Sequence, residues 1–99
     1  SRVLMQIVNE LATKYAETRN KLNPAALDMI QRATEPGHRA DLLATQLLTD
    51  TARRQELLEQ LDPAKRLERI AAIMTGDLDM AALEQKIKDR VRDQVEKNQ

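Results

Sequence analysis

Residues 67–99 read LERIAAIMTGDLDMAALEQKIKDRVRDQVEKNQ, and this stretch decides the fold. In its first half Leu67, Ile70, Ala71 and Met74 recur at steps that line up on a helix facing a bundle. Its second half is a charged rod with one thin apolar stripe, Leu83, Ile87, Val91 and Val95, each four residues from the last. Glu84 and Lys88, and Asp93 and Lys97, stand in the favourable order for ion pairs, with Asp89 and Arg92 one turn apart. Each exposed pair is worth only about 0.3–0.5 kcal/mol, yet together they keep a rod helical without a partner on every side. Gly76 at the junction costs about 1 kcal/mol inside a helix. No proline follows it, and Met74, Leu78 and Ala81 continue in phase. The pattern therefore predicts one helix from about Pro63 to Lys97, roughly 50 Å long at about 1.5 Å per residue. Residues 1–75 would form a bundle and 76–99 the part of the last helix that projects from it. A projecting helix in so short a chain is expected of a piece of a larger protein.

Toward the N-terminus the same logic yields shorter helices. Arg2 to Leu22 places Leu4, Ile7, Val8, Leu11, Tyr15 and Leu22 at helical steps. Asn23-Pro24 closes that run and opens a second, with Asn23 as cap, Pro24 at the first helical position, and Leu27 and Ile30 inside. Glu35-Pro36-Gly37 restarts the chain with Thr34 or Glu35 as cap, and Ala40, Leu43 and Leu47 share a face of the third helix. Thr49-Asp50-Thr51 caps a helix of barely two turns presenting Leu57, Leu58 and Leu61. Asp62-Pro63 repeats the cap-then-proline device before the long helix.

Composition agrees with an all-α fold, a small helical bundle ending in a long projecting C-terminal helix. Aromatic content is 1%, a single Tyr15, so the core must come from Leu, Ile, Val, Met and Ala. Lys plus Arg and Asp plus Glu balance at 16 each, which disfavours long-range attraction to nucleic acid or an anionic membrane. The chain has no cysteine, hence no disulfide or thiolate site, and no apolar run near the ~20 residues needed to span a bilayer. A cytoplasmic setting is the expectation.

Catalytic chemistry is thin. Ser1 is the sole serine and sits at the terminus, and His38 is the sole histidine, with no second His or Cys to complete a metal site. Asp77 and Asp79 lack the glycine and terminal glutamate of a Ca²⁺ loop, and two residues apart on a helix they do not face each other. Two glycines, Gly37 and Gly76, cannot build a phosphate-cradling loop. Lys86, Lys88, Arg90 and Arg92 are interrupted by Glu84, Asp89, Asp93 and Glu96, without aromatics, and read as a solvated face rather than a nucleic-acid surface. No active site, cofactor site or metal site is expected in this segment.

The order of pieces resembles the helical part of the N-terminal domain of Lon proteases. The resemblance rests on EPGHRADLLA (35–44), TARRQELLEQLDPAKRLERI (51–70) and the tail LEQKIKDRVRDQVEKNQ (83–99). The tail is similar to a family register E-x-K/R-I-x-x-R-V-x-x-Q/M-x-E-K-x-Q through Glu84, Lys86, Ile87, Arg90, Val91, Gln94, Glu96, Lys97 and Gln99. Pro36, Ala40 and Asp41 match a D-P-x-x-x-A-D turn in which Glu35 replaces Asp. Gly76, Asp89 and Asp93 depart from the family, which more often has a good helix former at the first position and a more basic stretch around the other two.

The resemblance implies a noncatalytic substrate-recognition and ring-assembly module of an ATP-dependent AAA+ serine protease. The parent would form a homo-hexamer that degrades misfolded or tagged proteins, with ATP, Mg and a Ser-Lys dyad in parts beyond these residues. The expected partners are unfolded or damaged proteins and neighbouring subunits. Leu83, Ile87, Val91 and Val95 are the expected contact residues for a substrate or subunit. The rival reading is a free-standing helical adaptor or coiled-coil dimerisation domain.

Overall fold

A computed structural model describes residues 2–19 and 22–98. Five helices follow in order: α1 (Arg2–Arg19), α2 (Pro24–Arg32), α3 (Pro36–Leu47), α4 (Thr51–Leu58) and α5 (Pro63–Lys97). No strand occurs among the described residues.

The starts of the helices follow the anticipated chemistry. The carboxamide of Asn23 accepts from the Ala26 N–H at 2.8 Å, Asp50 from Ala52 at 2.9 Å, and Asp62 from Ala64 at 3.0 Å. Each satisfies an amide that the first turn leaves without a partner. Pro24, Pro36 and Pro63 open α2, α3 and α5, where a missing N–H costs nothing. Glu35 occupies the cap of α3 without a side-chain bond.

α5 packs chiefly between α1 and α3. Val8, Ala12 and Tyr15 from α1, Ala40, Leu43, Ala44 and Leu47 from α3, and Leu67, Ile70, Ala71 and Met74 from α5 form the core, closed by Leu22, Ile30, Leu48 and Leu57. Aliphatic side chains at three- and four-residue steps on three helices thus share one interior, with Tyr15 as its single ring. α3 approaches α5 closely through Gly37: a Cβ there would lie 2.7 Å from Arg66 Nη2 and 3.2 Å from Pro63 Cβ. Arg66 is held in that position by the Gln60 carbonyl at 3.0 Å and by Asp41 at 3.5 Å.

Two details differ from the helical spacing. The described part of α1 runs to Arg19, Asn20 and Lys21 lie outside the described residues, and Leu22 is in a bend rather than a helix yet reaches the core. In the fourth helix only Leu57 is buried; Leu58 is half-exposed and Leu61 is 85% exposed. Leu61 falls in the connection after α4 has ended, where helical phase no longer applies, and Leu58 lies about 100° around the helix from Leu57.

α5 runs unbroken through Gly76, whose missing Cβ would meet nothing within 4 Å. The molecule is therefore drawn out, 56 × 26 × 23 Å, with a radius of gyration of 16.2 Å against about 13 Å for a compact chain of this length.

Candidate functional site

α5 presents different chemistry on its two sides. Toward the bundle, Met74 is buried and Leu78 is packed against the core. Tyr15, fully buried on α1, donates its hydroxyl hydrogen to Asp77 Oδ2 at 2.7 Å, tying the helix to α1 one residue past Gly76. Ala81 is half-buried; from Ala82 to Asn98 every residue except Asp89 is exposed. Beyond the bundle this side turns polar: Thr18 of α1 faces a groove of about 410 Å³ whose other wall includes Ala81, Gln85 and Lys88.

The outward side carries Met80, Leu83, Ile87 and Val91, while Val95, five turns beyond Asp77, has wound round to the direction in which Asp77 meets α1. Leu83, Ile87, Val91 and Val95 are 51–59% exposed and stand clear of the bundle, and Met80 at 52% extends the row toward it. Steps of four residues advance about 40° each around a helix of 3.6 residues per turn, so Leu83 and Val95 point about 120° apart. Ile73, Gly76, Met80, Leu83 and Ile87 instead alternate steps of three and four, which keeps them on a narrower seam. Met80 and Ile73 were missed by reading the stripe forward from Leu83; stepping back by three and then seven residues finds both.

Near its base this seam meets a groove of about 360 Å³ between α4 and α5, lined by Arg53, Glu56, Leu57, Arg69, Ala72 and Ile73. Leu57, Ala72 and Ile73 make the lining aliphatic between these charged side chains. On the rod Gln85 donates to Asp89 at 3.0 Å and Arg92 pairs with Asp89 at 3.1 Å, while Asp93 and Lys97 make no ion pair among the described residues.

His38 is exposed on the first turn of α3 and Ser1 lies outside the described residues. Among the described residues no group of His, Cys, Asp or Glu is arranged to hold a metal ion, and no helix is long and apolar enough to cross a membrane. Arg39 has a different part. The residue is 4% exposed, and its guanidinium donates to the carbonyls of Ile30, Gln31, Ala33 and Met5 at 2.6–3.0 Å, joining α1, α2 and α3; burial lowers its pKa.

The described residues thus form a helical bundle whose last helix carries an extended apolar face away from the core. Residues 1–76 match the family described as the ATP-dependent protease La (LON) substrate-binding domain. The chain is 34% identical over 96 residues to the Lon protease of Nitratidesulfovibrio vulgaris, covering 97% of this chain and 12% of that protein. It is 37% identical over 89 residues to the Lon protease of Xanthomonas oryzae, covering 90% of this chain and 10% of that protein. The match to the Lon protease of Trichlorobacter lovleyi is 30% over 99 residues, 100% of this chain and 12% of that protein. The chain belongs to the Lon substrate-binding domain family. It spans only 10–12% of the length of these relatives.

Proposed function

We propose that this chain is the noncatalytic client-holding module of an ATP-dependent Lon-type serine protease, and that the outward face of α5 is where unfolded or damaged proteins are held. The observation that carries this reading is the row Met80, Leu83, Ile87, Val91 and Val95, five large aliphatic side chains exposed on one helix that leaves its bundle. Unfolded chains offer apolar segments that native proteins bury, and a long apolar strip beside charged residues suits them better than a concave pocket would. The family match supports substrate binding. Proteolysis, ATP and Mg, a ring of six subunits and a cytoplasmic setting belong to the proposed parent rather than to these residues.

The coiled-coil alternative has support from the three-and-four spacing between Ile73 and Ile87, but Val91 and Val95 wind away from that seam. A straight partner would cover the start of the row and miss its end.

The double substitution Ile87→Asp, Val91→Asp tests the reading. Retention of a chemically denatured client protein on the immobilised chain should fall about tenfold or more, a loss on the scale of burying one aliphatic side chain, with the thermal midpoint unchanged. Loss of the cooperative melt would make the stripe core and sink the proposal. A change in sedimentation with client retention intact would assign the face to subunit assembly instead.

A further inference from the structure

The groove between α4 and α5 sets two arginines apart from their neighbours. Arg54 is committed to the fold, donating to the Leu48 carbonyl through Nε at 3.1 Å and Nη2 at 2.6 Å. Arg66 is likewise committed, to Gln60 and Asp41. Arg53 and Arg69 are exposed, sit on different helices at the rim of the same groove, and make no hydrogen bond or ion pair among the described residues. Glu56 shares the rim, leaving two guanidinium groups against one carboxylate. The rest of the lining is aliphatic: buried Leu57, half-buried Ile73 and the exposed methyl of Ala72.

We infer that this groove is a socket for an apolar client side chain flanked by carboxylates, so that the module prefers acidic-apolar segments over basic-apolar ones. The inference rests on the client-holding reading and gives its substrate class. The volume of about 360 Å³ lies at the small end of ligand pockets, so the socket admits a side chain or two of an extended segment rather than a folded surface. Charge complementarity selects the flanks: a guanidinium on either side meets an acidic residue before and after the buried side chain, and repels lysine there. The socket is continuous with the apolar row, since Ile73 in its lining is one heptad from Met80 on the same side of α5. It also lies wholly within the residues that match the substrate-binding family.

Three labelled peptides of equal length test this, each with a central Leu-Leu pair flanked by glutamate, serine or lysine. They are titrated by fluorescence anisotropy against the 99-residue chain, its Arg53→Glu, Arg69→Glu form, its Arg53→Gln, Arg69→Gln form and its Ile87→Asp, Val91→Asp form. The expected order on the unsubstituted chain is glutamate over serine over lysine, each step about fivefold at low salt and shrinking toward parity as salt screens the exposed rim. The glutamine form should erase the order and the glutamate form reverse it, with serine-peptide affinity and thermal midpoint unchanged, both substituted residues being exposed.

The inference is overturned if the order survives in the glutamate form, or if the unsubstituted chain treats the three peptides alike. It is also overturned if a single-stranded oligonucleotide displaces the glutamate peptide at equal concentration, which would make the rim a phosphate site. Dimerisation that disappears in the glutamate form would overturn it in favour of a second copy. Alike binding that is lost in the Ile87→Asp, Val91→Asp form leaves the client-holding reading standing and removes the socket alone. A charge order that persists in that form supports the socket while removing the outer face of α5.

Discussion

Arg39 is where one side chain does the most to shape the molecule. Helix α2 ends at Arg32, so the carbonyls of Gln31 and Ala33 lie where the helix supplies no donor. Arg39 reaches back from α3 to both, and its remaining donors reach Ile30 and, on α1, Met5. No carboxylate takes part; the positive charge is met by carbonyl dipoles. Methionine would fill much of the same volume but leave the Gln31 and Ala33 carbonyls without a donor. Arg39→Met should lower stability by about 3 kcal/mol or more, read as a shift of the urea midpoint at unchanged slope. Lysine is no substitute, because one ammonium cannot reproduce a planar fork bonded on both edges. Burial lowers the pKa of the guanidinium, so the charged form carries a desolvation cost that the four carbonyls must offset.

At the level of elements, α5 is one helix because everything but Gly76 agrees with it. The glycine has the conformational cost of its type and no compensating close approach. Gly76→Ala should therefore stabilise the chain by about 1 kcal/mol, raising the thermal midpoint by about 4–8 °C. Circular dichroism during a thermal scan reads this; a lowered midpoint would mean that the helix needs freedom at this point. The limits of α5, the caps Asn23, Asp50 and Asp62, and the inward faces of α3 and α5 were legible in sequence because local chemistry determines them. Leu61 was not: helical spacing was extended past the end of α4, and only the tertiary turn reveals that its side chain points to water. Nor could Arg39 be found, since its partners are carbonyls of α1 and of the end of α2 and carry no side-chain signature. The row Leu83, Ile87, Val91 and Val95 was legible, but the groove between α4 and α5 was not, because its two walls come from separate helices.

For the molecule as a whole, length is the salient quantity. The projecting part from Ala82 to Lys97 extends about 24 Å beyond its anchorage, at about 1.5 Å per residue. Its hydrogen bonds are exposed on all sides, whereas those of Leu67 to Met74 are covered by α1 and α3. Amide hydrogen exchange should show a step near Ala81, with protection at Leu67, Ile70 and Met74 approaching that of global unfolding and falling by orders of magnitude along the rod. Uniform protection through Val95 would mean that the rod is covered in solution, by a second copy or by a client. On the proposed reading, a strip on an element that opens this readily adapts to clients of varied shape, which a strip on the rigid bundle could not.

Tyr15 has a consequence for how this protein is observed. It is the chain's only aromatic residue, and it lies sealed at the root of α5 with its hydroxyl on Asp77. The near-ultraviolet absorption and intrinsic emission of the protein are thus the optical signature of a single site. Loosening the root removes a carboxylate from the phenol and changes the emission, whereas an event confined to the tip leaves it dark. One unlabelled sample therefore distinguishes an event confined to the rod's tip from one that pries its root loose.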